Sequence, residues 1–285
     1  MKLIKQSYEI IPQAPGLEGI YKQIEKAGRT CYKSEDKITE DSAKKFVERM
    51  INSKHTAMLE HGTLYFNIPV NIDEAVNFID EVSIWTKCKL VESEKGNWWA
   101  ITTNFRVMIE HFAPEYIKDL IEKYLCEPTE YHEKRVTVKF TTNQGILREF
   151  TRHRVFSFAV ESTRYCNYNK SKHGNEITFI EPEWINSDKE ILHSEAYDNA
   201  YEVFMSSCEE AEGYYMILIE SGFKPEEARD LLPLCTKCDM IMTGFVSDWK
   251  HFFSLRALGT TGKPHPQAKE LAEPLMEEFK TLNYI

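Results

Sequence analysis

The sequence predicts an α+β fold in which long helices flank a small, mainly antiparallel sheet, with an insertion in the N-terminal half. Two patterns point there. Residues 135–141 alternate basic or polar with apolar side chains, the period of a half-buried strand, and helical periodicity fills 17–27, 41–51 and a long span over 188–222. In chain order, residues 2–11 read as a first strand and 12–16 as the turn after it. Two amphipathic helices follow at 17–27 and 41–51, the second with an acidic start. Residues 64–70 form a strand behind the turn Glu60-His61-Gly62-Thr63. Asn143 opens a helix that runs into Arg152-His153-Arg154, and Gly222 terminates the long helical span. Pro225, with Glu226 and Glu227 behind it, starts a short helix, and residues 238–242 are a short apolar strand. Ser247 and Asp248 cap a helix through Arg256, and residues 266–280 form the last one. Residues 78–133 are the least legible; they hold Trp85, Trp98, Trp99 and a helix near 114–124. Residues 72–133 are read as an insertion within a single domain of 1–285, and no internal repeat is evident.

Composition narrows the function classes. A chain of 285 residues can bury a sizeable core, and 42% apolar residues exclude wholesale disorder. The net charge of −10 argues against nucleic-acid or anionic-membrane partners, yet leaves room for a small anion held by local arginines. No stretch has the roughly 18 uninterrupted apolar residues of a membrane span, and the N-terminus lacks a signal peptide's apolar core. Seven irregularly spaced cysteines suit reduced thiols and a cytoplasmic setting.

The densest chemical signal is Arg152-His153-Arg154, seven residues, then Ser162-Thr163-Arg164. Arginines interleaved with Phe156 and Phe158 make poor core material, whereas guanidinium forks suit bidentate phosphate recognition. An exposed basic turn is the plainer alternative. Arg229, in Ala228-Arg229-Asp230-Leu231-Leu232-Pro233, and Arg256, in Phe252-Phe253-Ser254-Leu255-Arg256, sit beside apolar residues and so are drawn towards an interior. An ordinary salt bridge is the plainer reading of either.

These elements resemble the flavin-dependent thymidylate synthases (the ThyX family), whose signature is Arg-His-Arg, seven residues, then Ser. The resemblance continues through Arg164 and Tyr165, the Ala-Arg-x-x-Leu-Pro element at Arg229, the Leu-Arg element at Arg256, a Glu-His turn at Glu60-His61 with Thr63, and a Gln at Gln267. It implies a homotetrameric α+β enzyme that methylates dUMP to dTMP with FAD, a methylenetetrahydrofolate donor and NADPH as reductant. By the same resemblance His61, Thr63, Arg152, His153, Arg154 and His251 contact FAD. Glu149, Arg152, Glu161, Ser162, Thr163, Arg164 and Arg229 hold dUMP, chiefly its phosphate. Arg256 is the catalytic residue, facing the uracil and favouring ionisation at N3, a sound role for a guanidinium beside a developing anion. Ser162 is assigned to substrate binding because no base and orienter flank it.

The chain departs from that pattern at several places. Ala159 and Val160 stand where many relatives carry Asn-Glu, with Glu161 one place later. Phe245 and Ser247 replace an Asn-x-Arg pair, and Glu149 replaces a Gln. Cys235-Thr-Lys-Cys238 is a lone CxxC lacking two further ligands, so no metal is expected. His111, His132, His173 and His193 are scattered and read as surface or hydrogen-bonded residues. Trp98, Trp99, Phe105 and Tyr168 are read as core in preference to base-stacking platforms.

Overall fold

Two long strands, β6 (Arg135–Asn143) and β9 (Lys237–Phe245), pair antiparallel over their whole length and carry the rest of the chain. The computed structural model describes residues 1–70, 85–94, 96–164, 166–169, 174–186, 189, 191 and 196–285. Beside this pair lie β2 (Ser7–Ile11) and β7 (Ser157–Val160), giving the order β2-β6-β9-β7. A second antiparallel sheet has the order β3 (Thr63–Pro69), β5 (Trp98–Asn104), β4 (Lys87–Val91). The short β1 (Lys2–Ile4) and β8 (Thr178–Ile180) pair in parallel. The expected α+β architecture, with small and mainly antiparallel sheets, is present.

The central sheet is covered on both faces. Ile241 and Ala159 pack with Ile11, Ile20, Ile24, Leu64 and Phe66 on one side, under α1 (Gly16–Tyr32) and α2 (Ser42–Asn52). Val136, Val138, Phe140, Met240 and Met242 face Trp249, Phe252, Leu275 and Phe279 on the other. This double burial explains why β9 reads as a nearly continuous apolar run, without the alternation of a one-sided strand. The core of α1 and α2 also takes in Ile101, Phe105, Met108, Ile117 and Leu120, all from the stretch that was least legible. That stretch contributes β4, β5, α3 (Phe105–His111) and α4 (Pro114–Tyr124).

Strand-to-helix junctions recur. Thr102-Thr103-Asn104 ends β5 and Thr141-Thr142-Asn143 ends β6; each asparagine is the N-cap of the following helix. Asn104 Oδ1 accepts from the Val107 amide at 3.1 Å, and Asn143 Oδ1 from the Ile146 amide at 2.8 Å, opening α5 (Gln144–Phe150). Two expectations need correction. The first strand is two, β1 and β2, which belong to different sheets. The long helix begins at Ala200, as α6 (Ala200–Glu220), because Asn199 is extended (φ −150°, ψ 168°) and caps it by accepting from Glu202 N. Residues 187, 188, 190 and 192–195 of that predicted span lie outside the described residues, as do Tyr165, His173 and His193. The remaining helices are α7 (Pro225–Ala228), α8 (Val246–Arg256) and α9 (Pro266–Thr281).

One close approach locks α8 onto the sheet. A Cβ on Gly244 would stand 2.3 Å from the Phe156 ring, which packs against the Trp249 ring with centroids 4.8 Å apart. Gly244→Ala is expected to lower stability by about 1–3 kcal/mol in urea denaturation, the usual cost of overpacking. An unchanged midpoint would show that Phe156 yields freely and that this packing is not close.

Candidate active site

Because β6 and β9 are antiparallel, α5 and α8 start at opposite ends of the pair and return over the same face. Their C-terminal residues therefore meet. Arg256, in the last turn of α8, donates from Nη1 to Glu149 Oε2 at 2.7 Å and from Nη2 to the Glu149 carbonyl at 2.8 Å. Its Nε donates to His153 Nε2 at 3.1 Å. A guanidinium has no acceptor, so His153 Nε2 must be the bare nitrogen and the ring proton sits on Nδ1. Burial pulls the His153 pKa down to about 4, with the charges of Arg256 and His251 adding to the effect. This is a fixed, neutral imidazole held by a charged fork.

A cleft of about 670 Å³ opens beside this cluster, lined by Arg148, Glu149, Arg152 and Arg256 together with residues 261–265. A second, of about 380 Å³, is lined by Gln144, Arg148, Thr163, Arg229 and Asp230, with residues 232–234 and Thr236. Here Arg229 Nη1 donates to Thr163 Oγ1 at 3.2 Å. Arg148 lines both clefts. It was missed because one arginine inside a helical pattern carries no local signal. Its position one residue before Glu149, on the helix that ends at the Arg-His-Arg turn, is the clue. Arg164 is exposed and pairs with Glu226 of α7 at 3.1 Å.

The Ser162-Thr163-Arg164 loop is moored by buried charge. Glu161 turns inward, away from the arginines it was grouped with: its carboxylate accepts from Lys237 Nζ at 2.7 Å and from the Asp239 amide at 3.1 Å. Lys237 also pairs with Asp239, and Lys33 reaches Asp239 at 2.7 Å. Burial pushes the Asp239 carboxyl up, but Lys237, Lys33 and Lys139 outweigh it and hold the group well below the usual carboxylate range. From Glu161 the chain passes to Ser162, whose amide donates to the Cys31 carbonyl at 3.0 Å.

The predicted flavin contacts separate into two groups. Arg152, Arg154 and His251 are exposed on the face around His153, and the His251 and His153 rings are 6.2 Å apart. His61 and Thr63 lie elsewhere, in the interior. His61 is fully buried, with Nδ1 2.8 Å from Thr243 Oγ1, and burial lowers its pKa to about 3. Thr63 is bound through its amide to Gln13. The exposed histidine nearby in sequence is His55, six residues before His61, with Nδ1 2.6 Å from Tyr32 OH. Among the described residues no cluster of metal-ligating side chains occurs; Cys235 lies 3.7 Å from Cys208, not beside Cys238. His132 is a structural residue, bonded to Thr129 and to the Phe66 carbonyl.

Fold and site together define an α+β protein with two arginine-lined clefts that share Arg148. The chain belongs to the family described as thymidylate synthase complementing protein, whose model matches residues 85–282. A flavin-dependent thymidylate synthase of Haloarcula marismortui is 27% identical over 146 residues, covering 47% of this chain and 58% of that protein. One from Pyrococcus furiosus is 30% identical over 131 residues, covering 46% and 48%. The matched region thus spans about half the length of these relatives. Among solved structures, the UMP/dUMP methylase PolB of Streptomyces cacaoi bound with 5-Br dUMP aligns over 99% of this chain and 93% of its own, at 17% identity and a TM-score of 0.46. Thymidylate Synthase X from Helicobacter pylori with FAD and dUMP covers 97% and 96%, at 14% identity and a TM-score of 0.40.

The two depressed histidines give a pH signature. A histidine whose folded pKa lies below its unfolded value of 6.5 contributes stability that is complete above 6.5 and is lost as pH falls towards the folded pKa. For His153 the window is pH 6.5 to about 4, and for His61 it extends to about 3. Solvent beside His153 screens its share to about 1–2 kcal/mol. Urea midpoints measured from pH 7 to 4.5 are expected to fall, and His153→Gln to flatten part of that slope. A flat wild-type profile would mean that these imidazoles accept protons inside the fold.

Proposed function

We propose that the protein methylates dUMP to dTMP, with FAD as cofactor, methylenetetrahydrofolate as one-carbon donor and NADPH as reductant. The observation that carries this reading is a pair of arginine-lined clefts that share Arg148 in their walls, within a chain of the thymidylate synthase complementing family. Phosphate sits against Arg229, Arg148 and Thr163, where paired guanidinium forks and a hydroxyl match its oxygens. The nucleotide then extends past Arg148 towards Arg256, whose fixed charge steadies negative charge at N3 of the uracil. Ser162 and Arg164 close the phosphate end; Glu149 holds Arg256 in place.

FAD fits the exposed face in part. Its pyrophosphate calls for cations that solvent can reach, and Arg152 and Arg154 supply them, with His251 and His153 alongside. His61 and Thr63 are buried and serve this face only by supporting the sheet. When bound, FAD supplies the redox chemistry and the one-carbon relay, and the protein supplies binding and orientation. Assembly as a homotetramer of single-domain subunits is part of the proposal, supported by exposed Tyr201, Tyr214 and Ile217 on α6. A cytoplasmic setting agrees with seven free thiols. No helix among the described residues is long and apolar enough to cross a membrane.

The first test is the visible spectrum of the protein with FAD, titrated with dUMP. Flavin bands that shift saturably place both ligands in one site, and bands indifferent to dUMP count against it. Arg229→Ala is expected to weaken dUMP binding by about 2–5 kcal/mol in calorimetry, the usual cost of removing one partner of a buried charge pair. Unchanged affinity would remove the phosphate from this cleft. Arg256→Ala is expected to abolish dTMP formation in an assay with all substrates present.

A further inference from the structure

Arg135, the first residue of β6, is a buried cation that makes no ion pair among the described residues; its guanidinium lies 5.6 Å from the centre of the Phe245 ring. Arg135 is 9% exposed, and burial draws its pKa down to about 10 against the opposing pull of Tyr65, Glu60 and Asp248. Among the described residues its guanidinium donates to the Glu60 carbonyl at 3.0 Å, to Thr63 Oγ1 at 3.3 Å and to Ser157 Oγ at 3.2 Å, all neutral acceptors. Three acceptors leave two of the five guanidinium N–H groups over. The carboxylates that it feels are engaged elsewhere: Glu60 binds Arg106 at 2.6 Å, and Asp248 accepts from the Phe245 amide at 3.2 Å. Leaving such a charge unpaired in the interior costs several kcal/mol.

Arg135 also lines a cavity of about 190 Å³ outside the two clefts described above. Its wall is formed by the turn 12–14, Thr63, Tyr65 and residues 134–137, with Glu127 and Tyr284 also contributing. Lys134 is exposed and gives the cavity a second positive charge, opposed by the exposed Glu127. The volume is below the roughly 300–1,000 Å³ of pockets that enclose a drug-sized ligand, so the space takes one small group.

We propose that this cavity is a binding site for a single oxyanion, a phosphate or carboxylate group, that completes the coordination of Arg135 beside Thr63. The inference does not rest on the proposed catalytic function. The anion has two sources, free in solution or as the phosphate arm of a larger nucleotide, and the shared chemistry is the same.

The experiment is thermal unfolding of the full chain in increasing inorganic phosphate, against sodium chloride of matched ionic strength. Wild type is expected to gain about 2–4 °C at saturating phosphate over the chloride control, as one ligand at about ten times its Kd gives for a chain of this length. Arg135→Gln, which keeps donors for Thr63 and Ser157, is expected to lose the share of that gain that this cavity supplies and to keep only what the Arg229 cleft contributes. Should this variant not fold, Thr63→Val serves in its place and is expected to reduce the gain. Repeating the comparison of wild type and Arg135→Gln with FAD in place of inorganic phosphate separates the sources: an FAD-induced gain that is smaller in the variant assigns the site to a nucleotide phosphate, and an equal gain in both assigns it to a free anion. A wild type that responds to phosphate only as it does to chloride, or an equal response in the variant, overturns the proposal and leaves Arg135 as a bolt between strands.

Discussion

The antiparallel pairing of β6 with β9 is the constraint on which the site depends. It sets α5 and α8 running towards each other over one apolar face, so that Glu149 and Arg256, 107 positions apart in sequence, meet at their ends. Helix C-termini leave carbonyls without intrahelical partners and carry partial negative charge. Arg256 answers both needs, because it donates to the Glu149 carbonyl and carboxylate at once. Shifting the ladder by one residue would turn Val136, Val138 and Phe140 away from Trp249 and Phe252, so hydrophobic burial enforces the register that aligns the charges.

The opposite face of the same pair is polar to an unusual degree. Thr137 and Thr243 bond at 2.9 Å across the ladder, His61 bonds Thr243, and Asp239 gathers Lys33, Lys139 and Lys237. Each group there meets burial differently: the imidazole by staying neutral, the carboxylates by collecting lysines, the threonines by bonding each other. Arg135 has neither route, since a guanidinium keeps its proton and its neighbours are neutral acceptors.

The sequence made the frame legible wherever local patterns were strong. Helices at 41–51, 114–124 and 266–280 were visible because amphipathic periodicity, an acidic start or a proline at N1 marked them; the structure has Ser42–Asn52, Pro114–Tyr124 and Pro266–Thr281. β4, β5 and α3 were not visible, since Trp98–Asn104 mixes aromatics with threonines whose burial only the neighbouring strands decide. In the site, Arg152 to Arg164 and Arg229 stood out by spacing, but where each side chain points was not readable. Glu161 illustrates this: the lysines that claim it lie 76 and 128 positions away. Arg148 and Arg135 were passed over for the same reason, because their meaning lies in the cavities that they line and not in their neighbours along the chain.

Glu149 bears most directly on the chemistry. A carboxylate 2.7 Å from the Arg256 guanidinium offsets the field that the arginine projects into the cleft, whereas a neutral amide there would leave that field whole. The same carboxylate fixes the fork in one orientation, and the Nε contact with His153 adds a third anchor. Field strength is therefore exchanged for position. A group held at three points loses little entropy when a ligand arrives, and orientation of that kind is worth several kcal/mol. In the proposed reaction the arginine then acts less by drawing a proton from the base than by receiving, already in place, the charge that forms there.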